Sequence, residues 1–116
     1  MKLEDRAKLV KFIDEKLYQA YESLLEGTFE EKALHQSLER AFNDLKKNPF
    51  SGIKISARLW PKEYKKYGIT NLRKYNLPNA WRLMYTLEGN EIEIVSILLE
   101  WLSHKEYEKR FGYKVK

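Results

Sequence analysis

Two apolar stripes with helical spacing run through the first half of the chain. They consist of Val10, Ile13, Leu17, Ala20, Tyr21 and Leu24, and of Leu34, Leu38, Ala41, Phe42 and Leu45. Steps of three and four residues predict one apolar face on each of two helices. Gly27 is a helix stop between them, Thr28 and Glu31 predict a capping box, and Pro49 ends the second helix. We therefore expect an antiparallel helix hairpin over residues 1–47, with no strand before it.

Apolar and polar residues alternate in the second half, which predicts β-strands. The segments are residues 53–59, 69–77, 81–87 and 92–101. Gly89-Asn90 predicts a hairpin turn, and the last strand, the most apolar, is expected at the centre of the sheet. The Lys-rich link from Pro61 to Gly68 is expected to be exposed and mobile. Ser103 is the expected N-cap of a short final helix.

Helices followed by strands indicate an α+β domain. We expect the helix hairpin to pack on one face of an antiparallel sheet of about four strands, with a short C-terminal helix. At 116 residues the chain is long enough for one domain without disulfides or metal. The predicted divisions are a helical hairpin over 1–47, a sheet over 51–102 and a C-terminal helix over 103–112.

Positive charge is concentrated in one stretch. Eight of the nine charged residues from Lys54 to Arg82 are basic, and Glu63 is the exception. Residues 1–50 carry nine basic and ten acidic side chains, whereas residues 51–116 carry thirteen and seven. Tyrosines and tryptophans are interleaved with these cations, a combination that suits RNA bases and phosphates. A solvated Lys-rich surface is the alternative.

Composition excludes several kinds of chemistry. The chain has no cysteine, which rules out thiol catalysis, thiolate metal sites and disulfides. Two histidines are too few for a His-rich metal site, although counting leaves a carboxylate site open. The charged N-terminus lacks the apolar segment of a secretory signal, and no apolar run is long enough for a membrane span. A cytoplasmic location, without a small-molecule cofactor, is the expectation.

Several short motifs occur together in a recognisable order. Leu45-Lys-Lys-Asn-Pro49 and then Ser51-Gly52 lead into a strand. Trp81-Arg-Leu-Met-Tyr85, a glycine turn, an apolar strand and His104-Lys-Glu-Tyr107 follow. Over roughly residues 38–112 this order resembles the RelE/HigB-like toxins of type II toxin–antitoxin systems. That family usually opens with a β-strand, and Met1-Lys2-Leu3 is the only candidate remnant of one in our prediction.

The resemblance implies a small ribonuclease that cuts mRNA, commonly within the ribosome, and that a cognate antitoxin silences. Without metal, such an enzyme uses the 2′-hydroxyl of the RNA as nucleophile and needs a base, an acid and cations for the phosphorane. Arg82 is the expected phosphate clamp, because a guanidinium pairs with two phosphate oxygens and the neighbouring Trp81 and Leu83 should face the core. His104 is the ready general acid or base, and Tyr107 could stack on a base or donate a hydrogen bond. Each of the three has a structural alternative. Arg82 could form a salt bridge on its strand, His104 could be a capping or surface histidine, and Tyr107 could pack the tail on the sheet.

Further basic residues extend this candidate site. Lys54 and Arg58, four apart on one predicted strand, should share a face, and Arg58 is included among the catalytic candidates. The expected phosphate contacts are Lys54, Lys62, Lys65, Lys66, Arg73 and Lys74. Glu63 is a candidate base, although a charge partner for a flanking lysine is the simpler interpretation. His35 is assigned no role.

Other functions stay open at this point. The same fold could belong to an inactive or non-enzymatic protein that binds RNA or DNA, or to the branch of the family that poisons gyrase. The partners expected for a toxin are mRNA with the ribosome and an acidic antitoxin that folds on binding. Both a homodimer and a toxin–antitoxin hetero-oligomer are compatible with the long amphipathic first helix.

Overall fold

A computed structural model describes residues 5–112. Within them the elements are β1 (Ala7–Phe12), α1 (Glu15–Ser23), α2 (Phe29–Lys47), β2 (Ile53–Lys54), β3 (Arg73–Asn76), β4 (Arg82–Gly89), β5 (Glu93–Leu102) and α3 (His104–Phe111). Short 3-10 helices fill several of the connections. Mixed α and β structure is confirmed, but the arrangement differs from the predicted one in its first strand and in the number of strands.

The sheet has five strands in the order β1-β5-β4-β3-β2. All neighbouring pairs are antiparallel except β1 and β5, which are parallel. The apolar strand β5 is interior, as expected, but β4 occupies the middle of the sheet. β5 pairs with a strand on each side. Its near-continuous apolar sequence suits a strand whose two faces are both covered.

The strand β1 corrects the prediction that the chain opens in a helix. Its Cα partners run from Ala7 opposite Glu93 to Phe12 opposite Leu98. The helix α1 begins only afterwards, with Asp14 as N-cap accepting a hydrogen bond from the Leu17 amide. Residues 1–3, proposed as a strand remnant, lie outside the described residues.

Side chains pack on both faces of the sheet. On one, which we call the helix face, α1 and α2 cover the sheet and aromatic side chains such as Phe12, Tyr21 and Phe42 contact one another. On the other, which we call the α3 face, α3 and the connection before β3 cover a second cluster that includes Tyr64 and Met84. The expected one-sided sheet is therefore corrected to a sheet between two apolar layers.

The junction after α2 is built by close backbone approach. The capping box at Thr28 and Glu31 starts this helix as predicted, and Asn48 is its C-cap. The Tyr85 hydroxyl donates to the Pro49 carbonyl at 2.8 Å and accepts from the Gly52 amide at 2.9 Å. A Cβ on Gly52 would lie 2.6 Å from that hydroxyl, so glycine is required where the chain enters the sheet.

The segment 53–59 is not the seven-residue strand that alternation predicted. Only Ile53 and Lys54 pair with β3, and the residues Ala57–Leu59 form a 3-10 turn. The link that follows is also a 3-10 helix, Lys62–Tyr67, and its Tyr64 side chain is fully buried. This link exposes its lysines as expected, but a buried tyrosine anchors it to the α3 face.

Candidate nucleic-acid interface

Arg82 lies at the start of β4, directly after an unusual turn. Asn79 and Ala80 both have positive φ, 61° and 63°, a region that costs a residue with a side chain about 1 kcal/mol. The Arg82 Nη1 donates to the Ala80 carbonyl at 2.6 Å, so the turn holds the guanidinium close to the strand. Trp81 and Leu83 pack on the helix face, and Arg82 therefore points to the α3 face, as predicted.

The Tyr107 ring contacts two cations on the α3 face. The Arg82 guanidinium carbon is 5.1 Å from the ring centroid and the Lys74 Nζ is 4.9 Å from it. The Lys74 Nζ also donates to the Tyr107 hydroxyl at 3.1 Å. We call Lys74, Arg82 and Tyr107 the Tyr107 cluster. Because Tyr107 is only 3% exposed and also stacks on Phe111, its ring suits a platform for the cations better than a stacking surface for a base.

His104 starts α3 but contacts a different partner. Its Nε2 lies 3.2 Å from the Glu108 carboxylate, and its side chain is 56% exposed. The predicted N-cap Ser103 and the N3 residue Glu106 form the capping box of this helix. His104 therefore lies one helical turn before Tyr107 and in reach of solvent, and the structure records no contact between His104 and Arg82.

Arg73 and Arg58 do not join the Tyr107 cluster. Arg73 pairs with Tyr85 across the strands, so it lies on the helix face, opposite to Lys74. Its Nη2 donates to the Gly52 carbonyl at 2.8 Å and to the Phe50 carbonyl at 3.3 Å, which tightens the junction after α2. Arg58 is exposed in the 3-10 turn, and the prediction that it shares a strand face with Lys54 is wrong.

The remaining predicted phosphate contacts form an exposed border. Lys62, Lys65 and Lys66 are exposed on the 3-10 helix before β3, and Lys66 lies 5.2 Å from the Tyr67 ring centroid. The edge-strand residue Lys54 is exposed on the helix face, since it pairs with Arg73.

A carboxylate that the sequence analysis overlooked fixes the surroundings of the Tyr107 cluster. Glu100 accepts hydrogen bonds from the buried Tyr64 hydroxyl and from Arg110 of α3, the latter at 2.5 Å. Burial, and then this hydrogen bond, raise the pKa of Tyr64 far above its ordinary value. Glu63, a candidate base, lies 4.0 Å from Arg110 and serves as its second charge partner. The signal was present in the sequence, because Glu100 interrupts an otherwise apolar strand.

Positive charge in the basic stretch is not neutralised within the described residues. Every ion pair found in residues 5–112 involves His104 or Arg110. The cations left without a carboxylate within 4.0 Å are Lys54, Arg58, Lys62, Lys65, Lys66, Arg73, Lys74 and Arg82. Eight cations without such a partner, spread over both faces of the sheet around β2, β3 and the start of β4, create a positive potential for a polyanion.

Comparisons with known proteins add no relative. No family model, no curated protein and no solved structure matches this chain. Among residues 5–112, no helix has the length and apolar character needed to cross a bilayer. Within the same residues, no group of three histidine or carboxylate side chains is arranged to hold a metal ion.

Proposed function

We propose that this chain is the toxin of a type II toxin–antitoxin system, a metal-independent endoribonuclease of the RelE/HigB type that cuts ribosome-associated mRNA in the cytoplasm. The observation that carries the proposal is the Tyr107 cluster, in which Arg82 and Lys74 both contact one buried ring and have no carboxylate within 4.0 Å among residues 5–112. The opening strand β1, which the family usually has, also supports it.

In this proposal the cations bind the phosphate. In the proposed reaction the RNA 2′-hydroxyl attacks phosphorus and the bond to the 5′-oxygen breaks, which leaves a 2′,3′-cyclic phosphate and a 5′-hydroxyl. The Arg82 fork pairs with the non-bridging oxygens as charge grows on them, and Lys74 lies beside it on the neighbouring strand. Tyr107 holds both cations in place without neutralising them.

Proton transfer falls to His104 in this proposal. Its position at the start of α3 places it three residues before Tyr107, and residues at that spacing are neighbours on a helix. An imidazole can both remove the 2′-hydroxyl proton and deliver a proton to the 5′-oxygen. The exposed lysines of the 3-10 helix hold the flanking phosphates without reading sequence.

The basic surface also supports the proposed antitoxin. A cognate antitoxin would present an acidic segment that covers the Tyr107 cluster and excludes RNA by charge complementarity.

One observation favours an RNA-binding protein without cleavage. The contact recorded for His104 is with Glu108 rather than with a member of the Tyr107 cluster, and a binder needs no general acid or base. This alternative predicts affinity for RNA with no cut products.

The test is cell-free translation of a reporter mRNA with cut-site mapping. Wild type should give discrete cuts, Arg82→Ala should give none, and Lys32→Ala, at an exposed α2 lysine, should match wild type. An intact message with normal translation would reject the ribonuclease. An intact message accompanied by trapped DNA breaks in a gyrase assay would move the protein to the gyrase-inhibiting branch.

A further inference from the structure

A second cationic groove lies on the helix face, beyond the end of α2. Its volume is about 270 Å³, and its walls include Arg6, Phe50, Lys54, Asn71, Arg73 and Leu87. The Tyr107 cluster is on the opposite face of the same sheet, so this groove is a separate surface. A space of this size is slightly smaller than a drug-sized pocket and suits a sugar phosphate.

The charges lining the groove are not neutralised. Glu88 also borders it, yet neither Arg6, Lys54 nor Arg73 has a carboxylate within 4.0 Å among the described residues. The Nε atoms of Arg6 and Arg73 are buried and have no hydrogen-bond partner within residues 5–112. The Arg6 Nη1 donates to the Asn90 carbonyl at 3.2 Å, so direct contact with a ligand falls to the Arg6 Nη2 and to the exposed Lys54, while Arg73 adds charge from its bonded position.

An aromatic surface accompanies the cations. Phe50 is 45% exposed, and the Arg73 guanidinium carbon is 5.3 Å from its ring centroid. Uncompensated cations beside an exposed ring bind single-stranded nucleic acid through phosphate contacts and base stacking. This combination favours RNA over an acidic peptide, for which an exposed phenyl ring offers no charge complement.

The lining of the groove runs from Arg6, next to β1, to Lys54 on β2, and β2 pairs with the strand that carries Lys74 of the Tyr107 cluster. Strand β2 is the edge strand and contains only Ile53 and Lys54. Lys54 lies opposite Arg73 and faces the groove, whereas Ile53 lies opposite Lys74 of the cluster. A single RNA strand that passes around this short edge therefore meets both sets of cations.

We propose that this groove binds the phosphodiester backbone of substrate RNA outside the cut site and so extends the bound segment around the β2 edge. The inference rests on the proposed function for the identity of the RNA. The test measures RNA binding without cleavage. Failure of the ribonuclease proposal and failure of the groove proposal are therefore separate outcomes.

The experiment uses uncleavable 2′-O-methyl RNA of about four and about twelve nucleotides, with binding measured by fluorescence anisotropy over a range of salt. In the variant Arg6→Gln/Lys54→Gln, affinity for the longer RNA should fall about tenfold, and the salt slope should decrease by about 1.4, as expected for two lost phosphate contacts on a single strand. Affinity for the shorter RNA should be unchanged.

The matched control is Lys11→Gln/Lys32→Gln, which removes the same charge at exposed positions on β1 and α2. An equal loss in this control, or no loss in the groove variant, would overturn the proposal. Circular dichroism melts of both variants show whether either change acts through the fold. Binding of a polyglutamate peptide that is lost in Arg6→Gln/Lys54→Gln, with the same RNA affinity in wild type and variant, would assign the groove to an acidic peptide and also overturn the proposal.

A second measurement locates the contact directly. The Nε–Hε resonances of Arg6 and Arg73 should shift on titration with the longer RNA, whereas that of Arg82 should shift with both lengths. Shifts at Arg82 alone would place all the RNA on the α3 face and contradict the groove. If the groove binds RNA but no message is ever cut, the ribonuclease proposal fails and the groove proposal stands.

Discussion

The two faces of the sheet differ in the elements that cover them and in the side chains that they hold. The helix face is covered by the nineteen-residue α2 and by α1, and its core is aromatic and aliphatic. The α3 face is covered by the eight-residue α3 and a 3-10 helix, and it holds charged side chains next to its apolar cluster. The helix face thus contains most of the helical scaffold. The α3 face presents cations next to a short helix and a 3-10 helix.

Two arginines show what this difference means. The Arg73 Nη2 donates to the Phe50 and Gly52 carbonyls, and so Arg73 stabilises the junction after α2. Arg82 donates to one carbonyl within its own turn and otherwise lies over Tyr107. Arg73 therefore stabilises the fold and adds only its charge to the groove, whereas Arg82 can contact an anion directly.

The largest expected effect comes from the two cores. Leu38→Ala on the helix face and Met84→Ala on the α3 face, both fully buried, should each lower the free energy of unfolding by about 2–5 kcal/mol in chemical denaturation. Met84 lies between Lys74 and Glu100 in the register, so its truncation should also reduce RNA cleavage at a temperature where the variant is folded. Leu38→Ala should leave that cleavage rate close to wild type, and an equal loss in both would remove the distinction between the faces.

A smaller effect should come from the carboxylate that anchors α3. Glu100→Gln leaves the partly buried Arg110 without its nearest charge partner, and we expect a loss of about 1–3 kcal/mol in the free energy of unfolding. Glu108→Gln removes the partner of the exposed His104 and should change it by less than about 0.5 kcal/mol. Equal effects of the two substitutions would show that Glu100 is no more than a surface charge.

Alkaline pH should lower the free energy of unfolding through buried tyrosines on both faces of the sheet. Burial is the first cause that raises the pKa of five tyrosines, namely Tyr21, Tyr64, Tyr67, Tyr75 and Tyr85. On the helix face the value for Tyr75 is about 12, where the hydrogen bond to Asp44 adds to burial. The unfolded chain ionises its tyrosines first, at about pH 10, so the free energy of unfolding should be steady below that pH and fall above it.

Denaturation curves between pH 8 and about pH 11 measure this fall. Tyr64→Phe should reduce its slope by up to about 1.4 kcal/mol per pH unit, the limit for one proton. Tyr18→Phe, at a ring that is 38% exposed, is the matched control and should leave the slope unchanged. A slope that does not respond to Tyr64→Phe would contradict the burial of an un-ionised hydroxyl at Glu100.

Local patterns predicted the elements whose boundaries depend on nearby residues. The capping boxes at Thr28 and Ser103, the end of α2 at Asn48 and the outward direction of Arg82 follow from contacts within a few positions. The β4–β5 hairpin also lies where Gly89 indicated.

Elements that depend on distant residues were not predictable in this way. Val10, Ile13 and Leu17 have helical spacing, but Val10 belongs to a strand that exists because it pairs with β5, more than eighty residues away. The strand expected over residues 53–59 stops early because the Leu59 amide donates to the Ser56 carbonyl in a turn.

The candidate site shows the same difference between features set by nearby residues and features set by distant ones. Periodicity placed Arg82 on its face, but it could not show that Lys74 and Tyr107 meet there, because three separate elements bring them together. Alternation puts Arg73 and Lys74 on opposite faces of a strand, but only the register shows that Lys74 is the one on the face of Met84.

The most direct test of the division between the faces compares Arg82→Lys with Arg73→Lys, with both unfolding and cleavage measured. Arg82→Lys should leave the free energy of unfolding within about 0.5 kcal/mol and lower the cleavage rate by at least about 100-fold, because a lysine cannot replace the bidentate guanidinium. Arg73→Lys should cost about 1–2 kcal/mol of stability, through its lost carbonyl contacts, and leave cleavage within about threefold of wild type. The reverse pattern, with cleavage lost at Arg73 and stability lost at Arg82, would contradict the account.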